Sequence, residues 1–257
     1  MFHPPLPGVD NKHPRITGLC PFSSGELLVA DEANHKLKRF SLQGEFKGTI
    51  PIPEYVAPCS VAAISGGKVA FTAGSRLYLL EKDGTQVWQK ALRHSQASHA
   101  AAAVGDDRIA VSVSGHVEVY DAEGQLAEKV FPEGREERCL VFMVHRQGGF
   151  VASDWHRHSV VAFDSYGELL MECREEQLEQ CQPGAVCADD TGAFYVVLRD
   201  LNKVVAFSAD GEVLGPLLTA QNGIDRPRVA TVTREGRLAV ALSDGTVHVF
   251  RLRRKGK

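Results

Sequence analysis

The sequence predicts an all-β chain, folded as a six-bladed β-propeller with four antiparallel strands per blade. Two observations predict it: a motif recurring every 40 to 44 residues, and four short apolar segments within each copy. A third completes the ring. The last copy lacks its outer segment, and the chain start is left over to supply it.

The repeat emerges when GELLVADEANHKLKRFSLQGEF, GKVAFTAGSRLYLLEKDGTQV, DRIAVSVSGHVEVYDAEGQL, GFVASDWHRHSVVAFDSYGEL, GAFYVVLRDLNKVVAFSADGEV and GRLAVALSDGTVHVFRLRRKGK are stacked. Each closes a strand on a large apolar residue: Phe40, Leu80, Tyr120, Phe163, Phe207 and Phe250. Turn glycines at 44, 84, 124, 167 and 211 keep the same step, so two independent markers carry the period.

Ahead of each copy stands a short run rich in small and β-branched residues: ITGLC, CSVAAI, HAAAAV, CLVFMV, GAVCA and RVATV. Such runs, bounded by Pro, Gly or polar clusters, read as buried strands, and small side chains suit the crowded axis of a propeller. Behind the glycine turns, EFKGTI, TQVWQKA, QLAEKVF, ELLMEC and EVLGPLL supply outer strands. The predicted blades are approximately 15–53, 57–91, 97–131, 138–173, 182–218 and 226–257, within one propeller spanning 1–257. FHPPLPGV, within residues 1–10, is expected to complete the sixth blade, since prolines are tolerated on an edge strand. CREEQLEQCQPG, residues 173–184, has the composition of a short helical turn between the fourth and fifth blades.

Composition narrows the function classes. A hydrophobic share of 44% with 24% charged residues supports a packed core rather than disorder. The net charge of −3 gives no whole-molecule attraction for nucleic acid, so any such role rests on a local patch. Apolar runs are far shorter than a membrane span, and MFHPPLPGVD does not read as a signal peptide. Six cysteines without a Cys-x-x-Cys pair, and no Asn-x-Ser/Thr sequon, suggest reduced thiols in a soluble, non-secreted chain.

The first copy contains DEANHKLKRF, with Asp31, Asn34, His35, Leu37 and Phe40 in the order seen in NHL repeats, which it closely resembles. Copies four and five resemble the motif more weakly, and copies two, three and six keep only the strand spacing. Asp and Asn bond to neighbouring amides in turns, so these residues at a hairpin tip need no ligand. As a whole, the chain resembles the NHL-like C-terminal propeller of a tripartite-motif, RING-type E3 ubiquitin ligase. The resemblance implies a module that recruits protein substrates, and RNA including viral RNA, for ubiquitin transfer performed elsewhere. It also implies a cytoplasmic, antiviral innate-immune setting.

Catalytic signatures are missing: there is no G-x-S-x-G, H-E-x-x-H, Walker loop or G-x-G-x-x-G. The inner segments offer mainly Thr17, Ser60, Ser98, His99 and Thr231, and one histidine falls short of the three or four ligands a metal needs. His156 and His158 share a strand face with Asp154 as the nearest third ligand, while Cys173, Cys181 and Cys187 are irregularly spaced. No catalytic residue, metal, cofactor, membrane contact or small-molecule substrate is therefore expected of this chain. A metal-dependent propeller hydrolase or lyase with a central-channel site is the alternative reading.

Charge placement is more informative. Loops joining second to third strands, and fourth strands to the next blade, lie on one face of a propeller. They carry Lys12, His13, Arg15, Arg76, Arg93, His94, Arg135, Arg138, His156, Arg157, His158, Arg199, Lys203, Arg226 and Arg228. Glu54, Glu133, Glu136, Glu137 and the acidic run at 175–179 make this a basic arc rather than a uniform field. Arg93, Arg135, Arg138, Arg157, Arg226 and Arg228 are the expected partner-binding residues, because guanidinium groups engage carboxylates and phosphates bidentately. RLRRKGK at 251–257 is a second basic cluster, and the scattered aromatics form no base-stacking platform.

Overall fold

The structure, a computed structural model, describes residues 1–257 apart from 3–5, 7, 23–24, 93–99, 175–181 and 253–257. The helical turn expected within 173–184, Cys181, His94, Ser98, His99 and Arg93 fall largely or wholly outside the described residues.

The architecture is a six-bladed β-propeller. Blade one comprises β1 (Ile16–Phe22), β2 (Glu26–Asp31), β3 (Lys36–Ser41) and β4 (Phe46–Ile50). Blade two comprises β5 (Ser60–Ala63), β6 (Val69–Ala73), β7 (Arg76–Leu80) and β8 (Gln86–Ala91). Blade three comprises β9 (Ala101–Val104), β10 (Arg108–Val113), β11 (His116–Tyr120) and β12 (Leu126–Val130). Blade four comprises β13 (Leu140–Arg146), β14 (Gly149–Asp154), β15 (Ser159–Asp164) and β16 (Leu169–Cys173). Blade five comprises β17 (Val186–Ala188), β18 (Phe194–Leu198), β19 (Lys203–Phe207) and β20 (Val213–Leu218). Blade six comprises β21 (Pro227–Val232), β22 (Arg237–Leu242) and β23 (Val247–Arg251). Sequential strands pair antiparallel within every blade.

The burial pattern explains why these segments are strands. VAFTA in β6 and FYVVL in β18 are buried throughout, because a second strand is covered by the blades on both sides. Outer strands keep one wet face and alternate: FKGTI in β4 varies between half-buried and exposed before closing on buried Ile50. The repeat period is one cross-strand pair used again and again. Leu27 faces Phe40, Val69 faces Leu80, Ile109 faces Tyr120, Phe150 faces Phe163, and Phe194 faces Phe207. Most of the core lies between blades, where such pairs from neighbouring sheets interdigitate.

Inner strands close the ring, β1 packing beside β5 and then in turn β9, β13, β17, β21 and β1 again. Phe2 occupies the outer position of blade six, where it forms an antiparallel bridge with Val247. The expected N-terminal closure is therefore present, as a single bridge among the described residues rather than a full strand.

Because every inner strand starts at the same end, the second-to-third-strand turns share that end with the connections between blades. Each of those turns holds one residue in the left-handed region: His35, Gly74, Ser114, His158, Asn202 and Gly245, with φ between 49° and 77°. That conformation favours Gly and Asn, and the tight turn imposes it on His and Ser as well.

Candidate functional site

At the end of β2, the DEANHKLKRF turn is a closed hydrogen-bond network. Asp31 is fully buried; its carboxylate accepts from the Arg15 amide at 3.1 Å, Asn34 Nδ2 at 2.8 Å and Lys38 Nζ at 2.7 Å. Lys38, also fully buried, reaches Asp10 at 2.5 Å. Asn34 Oδ1 accepts from the Lys12 amide at 2.9 Å, tying the N-terminal segment to the turn. Burial alone would raise the Asp31 pKa, but hydrogen bonds from Lys38 and Asn34 and the Lys38 charge together hold it below the usual carboxylate range. Asp31, Asn34 and Lys38 are thus occupied with folding the blade, whereas the His35 side chain is exposed.

Blade four repeats the arrangement with a different cation. Asp154, equivalent to Asp31, accepts from the Cys139 amide at 3.0 Å and from Arg138 at 3.1 Å. Arg138 also donates to the Glu133 carbonyl at 2.7 Å and to Glu172 at 3.4 Å, and its side chain is 1% exposed. This corrects the expectation that Arg138 reaches a partner. It neutralises a buried carboxylate, as Lys38 does in blade one; at the position equivalent to Lys38, β15 of blade four presents apolar Val161. The engagement of Asp154 likewise removes the third ligand considered for His156 and His158.

Four of the remaining arginines lie at two junctions of the same face. Between blades three and four, Arg135 opens a 3-10 turn (Arg135–Glu137), and its guanidinium sits 4.3 Å from the Phe131 ring centroid. His116 stacks on Phe131 at 5.0 Å. Arg135 is exposed and has no carboxylate partner among the described residues. Arg157, with a side chain 22% exposed, pairs with Glu137 at 2.6 Å and lies 3.7 Å from Glu172.

Across the ring, Arg226 is exposed with a left-handed backbone (φ 43°), fixed by its amide donating to Asn202 Oδ1 at 2.7 Å. Arg228 lies at a bulge in β21, where pairing passes from Pro227–Leu242 to Val229–Ala241. Burial, followed by the like charges of Arg15 and Arg199, lowers its pKa, while Glu32 acts against them. Arg15 and Glu32 pair at 2.9 Å. The arc thus resolves into two cationic centres, with Arg135 preorganised on an aromatic ring and Arg228 crowded by two other guanidinium groups.

Among the described residues, no three His, Cys, Asp or Glu side chains are grouped as metal ligands. Cys20, Cys59, Cys139 and Cys187 are free thiols. Burial pushes Cys20 up to about 12 and also raises Cys187, so neither provides a thiolate near neutrality. One polar channel residue escaped the sequence reading: His145, on the inner strand of blade four. Aligning the inner strands position by position would have revealed it as the odd member of its ring.

Over 253 residues, 96% of this chain, the sequence is 51% identical to the E3 ubiquitin-protein ligase TRIM56 of Homo sapiens and of Bos taurus, and 49% identical to that of Mus musculus. The chain is homologous to part of TRIM56. It spans about one third of the length of these TRIM56 relatives. No family model matches it. Among solved structures, a virginiamycin B lyase from Staphylococcus aureus superposes with a TM-score of 0.72 at 15% identity, covering 94% of this chain and 82% of that one. A Bacteroides thetaiotaomicron protein of unknown function reaches 0.71 at 14% identity, covering 93% and 69%. At such identities these two share the fold, whereas the TRIM56 relatives share half the sequence.

Proposed function

We propose that this propeller is the substrate-recruiting module of a RING-type E3 ubiquitin ligase acting in cytoplasmic antiviral innate immunity. It binds protein substrates, and RNA as a second partner, through the face that bears Arg135, Arg157, Arg226 and Arg228. The observation that carries this reading is the identity of about one half with TRIM56 over nearly the whole chain. Arg135 supplies an exposed guanidinium held against the Phe131 ring, so less of its side-chain freedom is lost on binding, and Arg226 supplies one from a backbone fixed by Asn202. Arg138 holds this face together from beneath. Arg93 keeps its place in the proposal on sequence grounds alone.

The test uses the whole ligase carrying Arg135→Glu, Arg226→Glu and Arg228→Glu. Substrate ubiquitination is expected to fall while the melting temperature of the propeller holds. For RNA, the dependence of log K on log salt should flatten by about 0.7 to 0.9 for each lost phosphate contact. Unchanged ubiquitination and unchanged RNA affinity would overturn the assignment of this face.

A further inference from the structure

The opposite end of the channel is built differently. Pairing with the second strand of each blade aligns the inner strands: Pro21, Ala63, Ala103, His145, Ala188 and Val232 all face the residue that begins the apolar pair of its blade. All six are half-buried and line a cavity of ≈ 710 Å³. Five carry small apolar side chains. The sixth is an imidazole.

Among the described residues, no polar side chain engages this histidine. The His145 ring meets the Phe150 edge at 5.2 Å between centroids and makes no hydrogen bond among the described residues. Alanine fills the same position in three other blades. Burial, and secondarily the Arg108 charge, lowers its pKa, so the ring is neutral near pH 7 and offers one donor and one acceptor.

The rim of the cavity adds charge. Glu26, Asp106 and Glu235 line it against Arg234. Glu26 Oε2 is buried without a hydrogen bond, its nearest cation being Arg39 at 3.8 Å. Glu26 stands opposite Phe22, the residue after Pro21, so rim and ring lie roughly 3 to 7 Å apart along the strands. The volume is that of a small-molecule site, typically about 300 to 1,000 Å³.

We propose that this channel is a binding site for a compact organic amine with a hydroxyl group at its far end. The apolar body fills the ring of small side chains, the hydroxyl bonds to His145, and the ammonium meets the Glu26 and Glu235 carboxylates. The molecule is a ligand rather than a substrate, and the site is independent of the arginine face at the other end.

Tyramine tests this, with phenethylamine lacking the hydroxyl and tyrosol lacking the charge. Each is titrated into the full chain at pH 7, following the His145 ring proton by NMR. Tyramine should give a saturable shift with millimolar affinity, and each analogue should bind at least about fivefold more weakly. His145→Ala, which installs the residue carried by three other blades, should make tyramine and phenethylamine equal, read by thermal shift. Ala103→Leu with Ala188→Leu should abolish binding of all three. No saturable shift up to about 20 mM tyramine, equal binding of the three probes to the native chain, or tyramine binding that survives the leucine pair would overturn the site.

Discussion

Phe2 and Val247 exchange both backbone hydrogen bonds, each 2.9 Å long, and so join the first residues of the chain to the last strand of blade six. The Phe2 ring is buried against Phe40 of blade one, 5.0 Å between centroids. One side chain therefore bridges the first and last blades. Phe2→Ala is expected to cost about 3 kcal/mol, lowering the melting temperature by roughly 6 to 12 °C. Deleting residues 2–10, which also removes Asp10 from Lys38, should cost more. A melting curve unmoved by either change, followed by circular dichroism, would count against ring closure through Phe2.

The same contact recurs around the ring. A side chain on Gly44 would collide with Phe2, just as one on Gly167 would lie 2.3 Å from the Phe131 carbonyl oxygen of the preceding blade. Gly167 also has φ +92°, whereas Gly105, at φ +62°, has open space around it. Gly167→Ala should therefore destabilise by about 2 to 4 kcal/mol and Gly105→Ala by only about 1 kcal/mol. Urea denaturation of the two variants checks the ordering.

Arg135 and Arg138, three residues apart, should behave as opposites. Removing Arg138 leaves Asp154 buried without its cation, an effect of about 3 to 5 kcal/mol. Removing exposed Arg135 should change stability by less than about 0.5 kcal/mol. If Arg138→Ala and Arg135→Ala gave equal urea midpoints, the buried ion network would be misassigned.

Acid should weaken the fold in a particular window. Asp31, Glu118 and Glu172 all have lowered pKa values: burial opposes ionisation in each, but Lys38 and Asn34, Lys129 and Tyr120, and Arg174 and Arg138, respectively, outweigh it. A carboxyl whose folded pKa is depressed stabilises the fold fully above its unfolded value of about 4 and loses that contribution as pH falls through the folded value. Stability should be flat from about pH 7 to 5 and decline below about 4. Lys38→Met should be clearly less stable than the native chain at pH 7, with the gap narrowing at pH 3 as Asp31 becomes protonated. A gap independent of pH would contradict the role of Lys38.

Much of this architecture was legible because the repeat writes the same cross-strand pair into every blade. Phe40, Leu80, Tyr120, Phe163 and Phe207 are spaced by the length of a blade, and the glycine after each marks its turn. Depth was harder to read. Arg138 resembles Arg135 in local sequence, but its partners Asp154 and Glu172 lie in other strands, 16 and 34 residues away. His145 was hidden for a related reason, since its singularity appears only against five equivalent positions in the other blades. The arc of basic loops was visible from strand order, whereas its division into two centres depends on which carboxylates fold back onto which arginines.

Partner capture at the arginine face is the central claim, and a comparison of matched charge reversals in the whole ligase tests it most directly. One variant carries Arg135→Glu, Arg226→Glu and Arg228→Glu; the other carries Lys68→Glu, Arg108→Glu and Arg234→Glu at the opposite end of the ring. Both change net charge by the same amount, so a nonspecific electrostatic effect would weaken them alike. Capture of ubiquitination substrates should fall at least about tenfold for the first and stay within about twofold for the second. Equal capture by the two variants, or a loss confined to the second, would contradict it.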